Sequence, residues 1–426
     1  MGLGYNYELY ILSNELCTMN YELDVFLTIV ISVIVLLIGH FFVKHIEILK
    51  KYNIPEPVVG GLIAAIITYI LFKSLNITIS FDAKIQQIFM LMFFTSVGLS
   101  ASLLKLKEGG KALILFLICV IIFVLLQNVV GISLAKVLGL DPLVGLIVGS
   151  VTLTGGHGTA GAWGAVFEQN HGIQGAVVLG MASATFGLVI GGMMGGPMAK
   201  FLIRRFQLAE ELAPTDGRRT EAPPVAETAP FEFPEKTRLI TADDAVKTMG
   251  MFALCICFAY FMADFAHGKW FELPTFVWAL GCGVILRNVL EHGFKIEMFD
   301  RCIDVFGNAS LGLFLSMALM SLQLWLLADL AGPLLVILLV QTLVLALYLY
   351  FVTFRMMGKN YDAAVLCAGQ CGVNLGATPT AIANIQAVTN TYGPSHKAFL
   401  IIPLTGAFFV DIVNAVVIQF TIGIFS

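Results

Sequence analysis

Apolar runs of 18 residues or more recur along nearly the whole of this 426-residue chain. An α-helix rises about 1.5 Å per residue, so each run is long enough to cross a hydrocarbon core of roughly 30 Å. Only helices and closed barrels satisfy their own backbone in lipid. Charged residues are 12% of the total, against about 25% in soluble domains. The chain therefore reads as an all-α polytopic membrane protein. Ten spans are expected, at 24–43, 57–73, 86–104, 112–135, 174–203, 245–266, 273–290, 303–327, 332–354 and 398–425. Placing the loop at 44–56 in the cytoplasm puts 20 Lys and Arg inside and only Lys73, Lys84, Lys136 and Lys269 outside. By the positive-inside rule both termini then lie outside. Arg287 and Arg355 fall near cytoplasmic span ends, where snorkelling is the expected behaviour. The cysteines, among them Cys119, Cys255, Cys257, Cys282, Cys367 and Cys371, read as small buried hydrophobes and not as zinc ligands.

Residues 1–23 form an N-terminal extension with Glu8, Glu15 and Glu22 and no Lys or Arg, the wrong charge for a signal peptide. Residues 207–244 are rich in Pro, Glu and Thr and read as a flexible cytoplasmic linker. It separates membrane repeats at 24–206 and 245–426. "FTSVGLSASLL" (94–104) lies over "FLSMALMSLQL" (314–324), "GGHGTA" (155–160) over "GATPTA" (376–381), and Gln127 opens a stretch like that at Gln341. With five spans per half, the second half enters from the opposite side, which makes an inverted repeat of the kind that builds secondary transporters.

"DPLVGLIVGSVTL" (141–153) and "TAGAWGAVFEQ" (159–169) are each too short to cross, and they flank a glycine cluster. The second half repeats this with "NYDAAVLCAGQCG" (360–372), "VNLGATPT" and "TAIANIQAV" (380–388), with Thr378 as N-cap and Pro379 in the first turn. Each repeat is thus expected to carry a re-entrant helical hairpin. Irregular backbone at membrane depth must line a wet cavity or be buried in protein. Two matched breaks point to a binding site, where free carbonyls hold a cation and half-helix N-termini hold a carboxylate.

"IPEPVVGG" (54–61), "GLDPLVGLIVGS" (139–150), "GGHGT" (155–159), "ELPTF" (272–276), "MGKNYDAAVL" (357–366), "GATPTAIAN" (376–384) and "GPSH" (393–396) closely resemble the bacterial sodium/glutamate symporter family, from about residue 24 onward and excluding the linker. The resemblance implies sodium-driven import of L-glutamate across a bacterial inner membrane. It also implies a homodimer and elevator-like alternating access by a domain carrying both re-entrant loops. Sodium is then the coupling ion, and no other cofactor and no nucleic-acid partner is expected.

Sodium takes hard oxygen ligands. The sodium candidates are Ser150, Thr152, Thr154, Gly155, Gly156, Gly376, Asn384 and Asp411. The substrate candidates are His157, Gly158, Thr159, Asn374, Thr378, Thr380, Asp411 and Asn414. Asp411 lies at mid-span, one turn from Asn414, where a charge costs about 2.5–3.5 kcal/mol and usually faces a functional cavity. It is compatible with ligating sodium, pairing with the substrate ammonium or taking a proton. His157 suits either a hydrogen bond to the substrate side chain or a packing role. Gln127, Asn128 and Gln341 are expected to bond between helices. No mid-membrane arginine is available for glutamate. A sodium-coupled di- or tricarboxylate carrier and, further off, an ion channel remain as alternatives. No nucleophile elbow, zinc-protease pair or P-loop supports an enzyme or an ATPase.

Overall fold

A computed structural model describes residues 19–51, 54–103, 110–208, 239–269, 273–295, 298–321 and 331–425. Residues 1–18 of the extension and 209–238 of the linker lie outside the described residues.

The described residues are helical apart from one short parallel pair, β1 (Met19–Glu22) beside β2 (Ile77–Ser80). The expected extension is thus tied down at its end. The helices are α1 (Val25–His45), α2 (Glu56–Leu75), α3 (Ala83–Ser100), α4 (Gly110–Val137), α5 (Pro142–Val151), α6 (Gly156–His171) and α7 (Ala176–Arg205). After the linker come α8 (Ala242–Ala266), α9 (Thr275–His292), α10 (Asp300–Met320), α11 (Ala331–Met356), α12 (Tyr361–Leu375), α13 (Thr378–Tyr392), α14 (His396–Leu404) and α15 (Val410–Phe425). A π-helical stretch, Thr405–Phe409, joins the last two. A helix lies on each of the ten expected spans, and among the described residues seven helices are long and apolar enough to cross a membrane. Polar caps start them where the sequence turns polar. Asp24 accepts from Leu27 N, Asp82 from Lys84 N and Ile85 N, and Asn360 from Ala363 N.

Two bodies form. In one, α1 packs on α2, α8 on α9, and α3 and α10 cross at the centre, with α3 also on α9 and α10 also on α2. The other gathers α4–α7 with α11–α15 around the larger core. The bodies meet where Gly158 faces Phe93 and Leu311 and Gly161 faces Phe314.

Arg287 does not snorkel. Its side chain is 3% exposed and ion-paired to Glu291 and Asp300. Glu291 also accepts from Ser102 Oγ, and Asn288 bonds both Ala101 O and Leu103 N, so this knot ties α3 to the second half. Two nearby carboxylates make burial of the guanidinium tolerable. Arg287→Met leaves them uncompensated, and breaking a buried pair costs about 3 kcal/mol or more. A clear fall in the thermal unfolding midpoint in detergent is the expected result, and an unchanged midpoint would refute the role. Arg355 lies exposed over the Phe351 ring. Of the cysteines, Cys257 departs from the expectation: it is exposed, on an apolar outward face of α8 where no burial is needed.

Candidate functional site

Register contacts fix how the interrupted segments run. Gly145 abuts the Gly131 carbonyl and Ser150 N donates to Asn128 Oδ1, so α5 runs antiparallel to α4. Tyr348 Oη donates to Cys119 O and Gln341 Nε2 to Gln127 O, which sets α11 antiparallel to α4. Gln341 and Asn374 both bond Gln127, and only residues 357–360 separate the end of α11 from the start of α12, so α12 turns back along α11. Gly187 and Gly191 face the carbonyls of Leu375 and Cys371, which makes α7 antiparallel to α12. Gly164 against Val177 and Gly180 against Ala160 make α6 antiparallel to α7. It follows that α5 and α6 run in opposite directions.

The two interruptions differ in shape. α12 and α13 lie side by side: Gly372 abuts Ala381, Asn384 Nδ2 donates to Ala368 O, and Tyr361 Oη closes the base on Gly393 O. α5 and α6 are splayed, α5 along α4 and α6 along α7, and α6 meets α5 chiefly at its π-helical end. The first break runs through Gly149, whose dihedrals are non-helical, to Gly156 at φ +67, a left-handed conformation suited to glycine. The second is Gly376–Ala377. The α13 N-cap is Ala377 without a side-chain cap, so Thr378 is the first helical residue and not the cap. The shift of one residue leaves that helix end open.

The breaks meet. A side chain at Gly156 would point to the Gly376 carbonyl, its Cβ 3.4 Å away. Gln127 is the hub between them. Its Oε1 accepts from Thr154 Oγ1 at 2.7 Å and its Nε2 donates to Asn374 O at 3.1 Å. Asn374 Nδ2 donates back to Thr154 Oγ1 at 3.2 Å. On the other flank Asn414 Nδ2 donates to Ser150 O, which also accepts from Gly155 N. All of these side chains are buried.

Several buried oxygens have no partner among the described residues: Ser150 Oγ, Thr152 Oγ1, Gln341 Oε1, Asn374 Oδ1, Thr380 Oγ1, Thr405 Oγ1 and Asn414 Oδ1. Each such group costs about 1–3 kcal/mol if left alone. A cluster of them around one junction suits a hard cation or a polar ligand. The N-terminal ends of α6 and α13 carry partial positive charge toward the junction, which suits a carboxylate. The carbonyl ends of α5 and α12 suit the cation.

Other expected residues take quieter positions. His157 Nε2 lies 3.0 Å from Thr185 Oγ1. That hydroxyl already donates to Met181 O, so Nε2 is the donor and Nδ1 stays an acceptor. Gly158 packs on Phe93, and Thr159 packs over Gly155. Asn384 spends its amide on Gly191 O and Ala368 O, clasping α7 to α12. Thr378 is half-buried, facing Gly406. Asp411 is half-buried one turn from Asn414 and bonds no described residue. Gln127 bonds between helices as expected, and it does so where the two breaks meet, which was not foreseen; Thr405 was not among the expected residues. A glutamine inside a 28-residue apolar helix was the available signal for the first.

The family described as the sodium/glutamate symporter matches residues 21–394. A curated sodium/glutamate symporter of Escherichia coli K12 is 49% identical over 399 residues, covering 94% of this chain and 97% of that protein. One from Haemophilus influenzae is 46% identical over 406 residues, covering 95% and 99%. Among solved structures, a sodium proton antiporter of Methanocaldococcus jannaschii covers 95% of this chain and 98% of its own at 14% identity, with a TM-score of 0.43.

Proposed function

Because this chain belongs to the sodium/glutamate symporter family, we propose that the junction of its two interrupted segments is where glutamate and sodium are carried together through the membrane. The observation that carries the reading is the buried knot of Gln127, Thr154 and Asn374, ringed by side-chain oxygens without protein partners. The protein is a transporter and not an enzyme. Sodium is its coupling ion and glutamate its substrate.

In this reading Ser150, Thr152, Thr154 and Asn374 supply oxygens to sodium, with the carbonyls around Gly155, Gly156 and Gly376. The open helix ends at Gly156 and Thr378, with Thr380 and Asn414, hold the glutamate carboxylates. His157, Gly158, Thr159 and Asn384 shape the tips. Asp411 faces the cation or the substrate ammonium from beside Asn414.

Both interrupted segments are re-entrant, the first from outside and the second from the cytoplasm. The reversed directions of α5 and α6 and the paired arms of α12 and α13 support this. The halves are inverted repeats, supported by reciprocal packing: α3 on α9 and α10 answers α10 on α2 and α3. The body holding both junctions slides against the body of α1–α3 and α8–α10, an elevator-like motion in a homodimer. The membrane is the bacterial inner membrane, with both termini outside.

Proteoliposomes holding the purified protein test this. Labelled glutamate should accumulate under an inward sodium gradient, stop when potassium replaces sodium, and be competed by glutamate better than by malate or citrate. Uptake indifferent to sodium would sink the reading. Asp411→Asn keeps the shape and removes the charge. Interactions with a charged group are worth about 1.5–3 kcal/mol, so the sodium concentration for half-maximal uptake should rise at least about tenfold. An unchanged sodium dependence removes Asp411 from the site.

A further inference from the structure

A cavity of about 780 Å³ opens between the two bodies, lined by none of the knot's residues. Its walls are the start of α3, the start of α9, the end of α10 and the turn from α6 to α7. The distribution of Lys and Arg places all four on the outside of the membrane. Beside the hydroxyls of Thr275 and Ser321, its polar lining is Gln86, Gln87, Glu168, Gln169, Asn170 and Gln174. That is five carboxamides and one carboxylate, and no Lys, Arg or His lines it among the described residues. Glu168 is half-buried and fixed by one oxygen, Oε1, which accepts from Val177 N at 3.0 Å. The other oxygen is left for a ligand.

The cavity leads toward the junction. Gly161 and Phe314 both line it. One turn further along α6, Gly158 lies against Phe93, and His157 and the first break follow directly. The Phe93 and Phe314 rings thus close the floor between the cavity and the knot.

We propose that this cavity is an outer capture and selection site for an α-amino dicarboxylate, in which Glu168 pairs with the ligand's ammonium and the carboxamides donate to its carboxylates. This rests on the reading of the protein as a glutamate carrier and on its orientation. Primary amides offer two N–H donors each without a net charge. A lone carboxylate among them welcomes a zwitterionic amino acid and repels a dicarboxylate that lacks the ammonium. Glu168 is therefore a specificity residue, selecting amino acids over plain di- and tricarboxylates before the knot is reached.

Glu168→Gln tests it, because the amide keeps the acceptor for Val177 N and removes only the charge. In sodium-driven proteoliposome uptake, KM for glutamate should rise about tenfold or more, the scale of one charge-assisted contact. The sodium dependence should stay as in wild type, and inhibition by malate and succinate should strengthen. Gln174→Ala, on the exposed rim, should raise KM in the same direction without touching the charge. A fall in maximal rate with KM unchanged assigns Glu168 to packing of the α6–α7 turn and overturns the proposal. So does unchanged inhibition by dicarboxylates. If the wild-type protein itself takes up no glutamate, it is the underlying transport reading that fails.

Discussion

Gly155→Val is expected to abolish sodium-driven glutamate uptake while leaving the protein in the membrane at normal abundance. A Cβ at Gly155 would lie 2.6 Å from the Val151 carbonyl and 2.6 Å from Thr159 Cβ. The first is backbone and cannot retreat without moving the break. A 1 Å misplacement in a positioned site costs on the order of 100-fold, and here the displaced atoms are the proposed sodium ligands. Gly376→Val is the informative companion. Its Cβ would meet the Gly372 carbonyl only at 3.1 Å and Thr380 Cβ at 3.4 Å, so its loss should be the smaller of the two. Near-normal uptake by Gly155→Val would mean that the break is packing and not a site.

The second large effect belongs to Asn374. Asn374→Leu removes the donor to Thr154 Oγ1, and it removes an oxygen that has no partner among the described residues. Uptake should fall by roughly 100-fold, because a buried polar network loses more than one pairwise bond when a member is deleted. Thr154→Val breaks the same network from the other break. The double variant should be little worse than Asn374→Leu alone, since residues of one network are coupled. Strictly additive losses would show that Thr154 and Asn374 act separately, and the knot would then have no functional unity.

Much of this was legible in the sequence for a simple reason. Length and apolarity set the helices, and glycine clusters between half-length apolar stretches set the breaks at 149–156 and 376–377. Which side chains meet was less legible. A soluble helix advertises its buried face by alternating with polar residues, but a membrane helix is apolar toward lipid and core alike. So the sequence offered no way to see that Asn384 would be spent clasping α7 to α12, or that Gln127 would sit between the two breaks. Arg287 was misread for a related reason. Its partners Glu291 and Asp300 were visible, but the packing of α9 on α3 that buries the guanidinium against them was not. The splay of α5 from α6 depends on which neighbour each arm prefers, and that is a property of α4 and α7 as much as of the arms.

The 30-residue helix α7 touches α6 along its first half and both arms of the second interruption along the rest. One continuous helix therefore carries both breaks. In the proposed sliding motion, neither break swings toward a water-filled side while the other stays behind. Both faces of the binding junction would then change sides as one unit, carried by this shared axle.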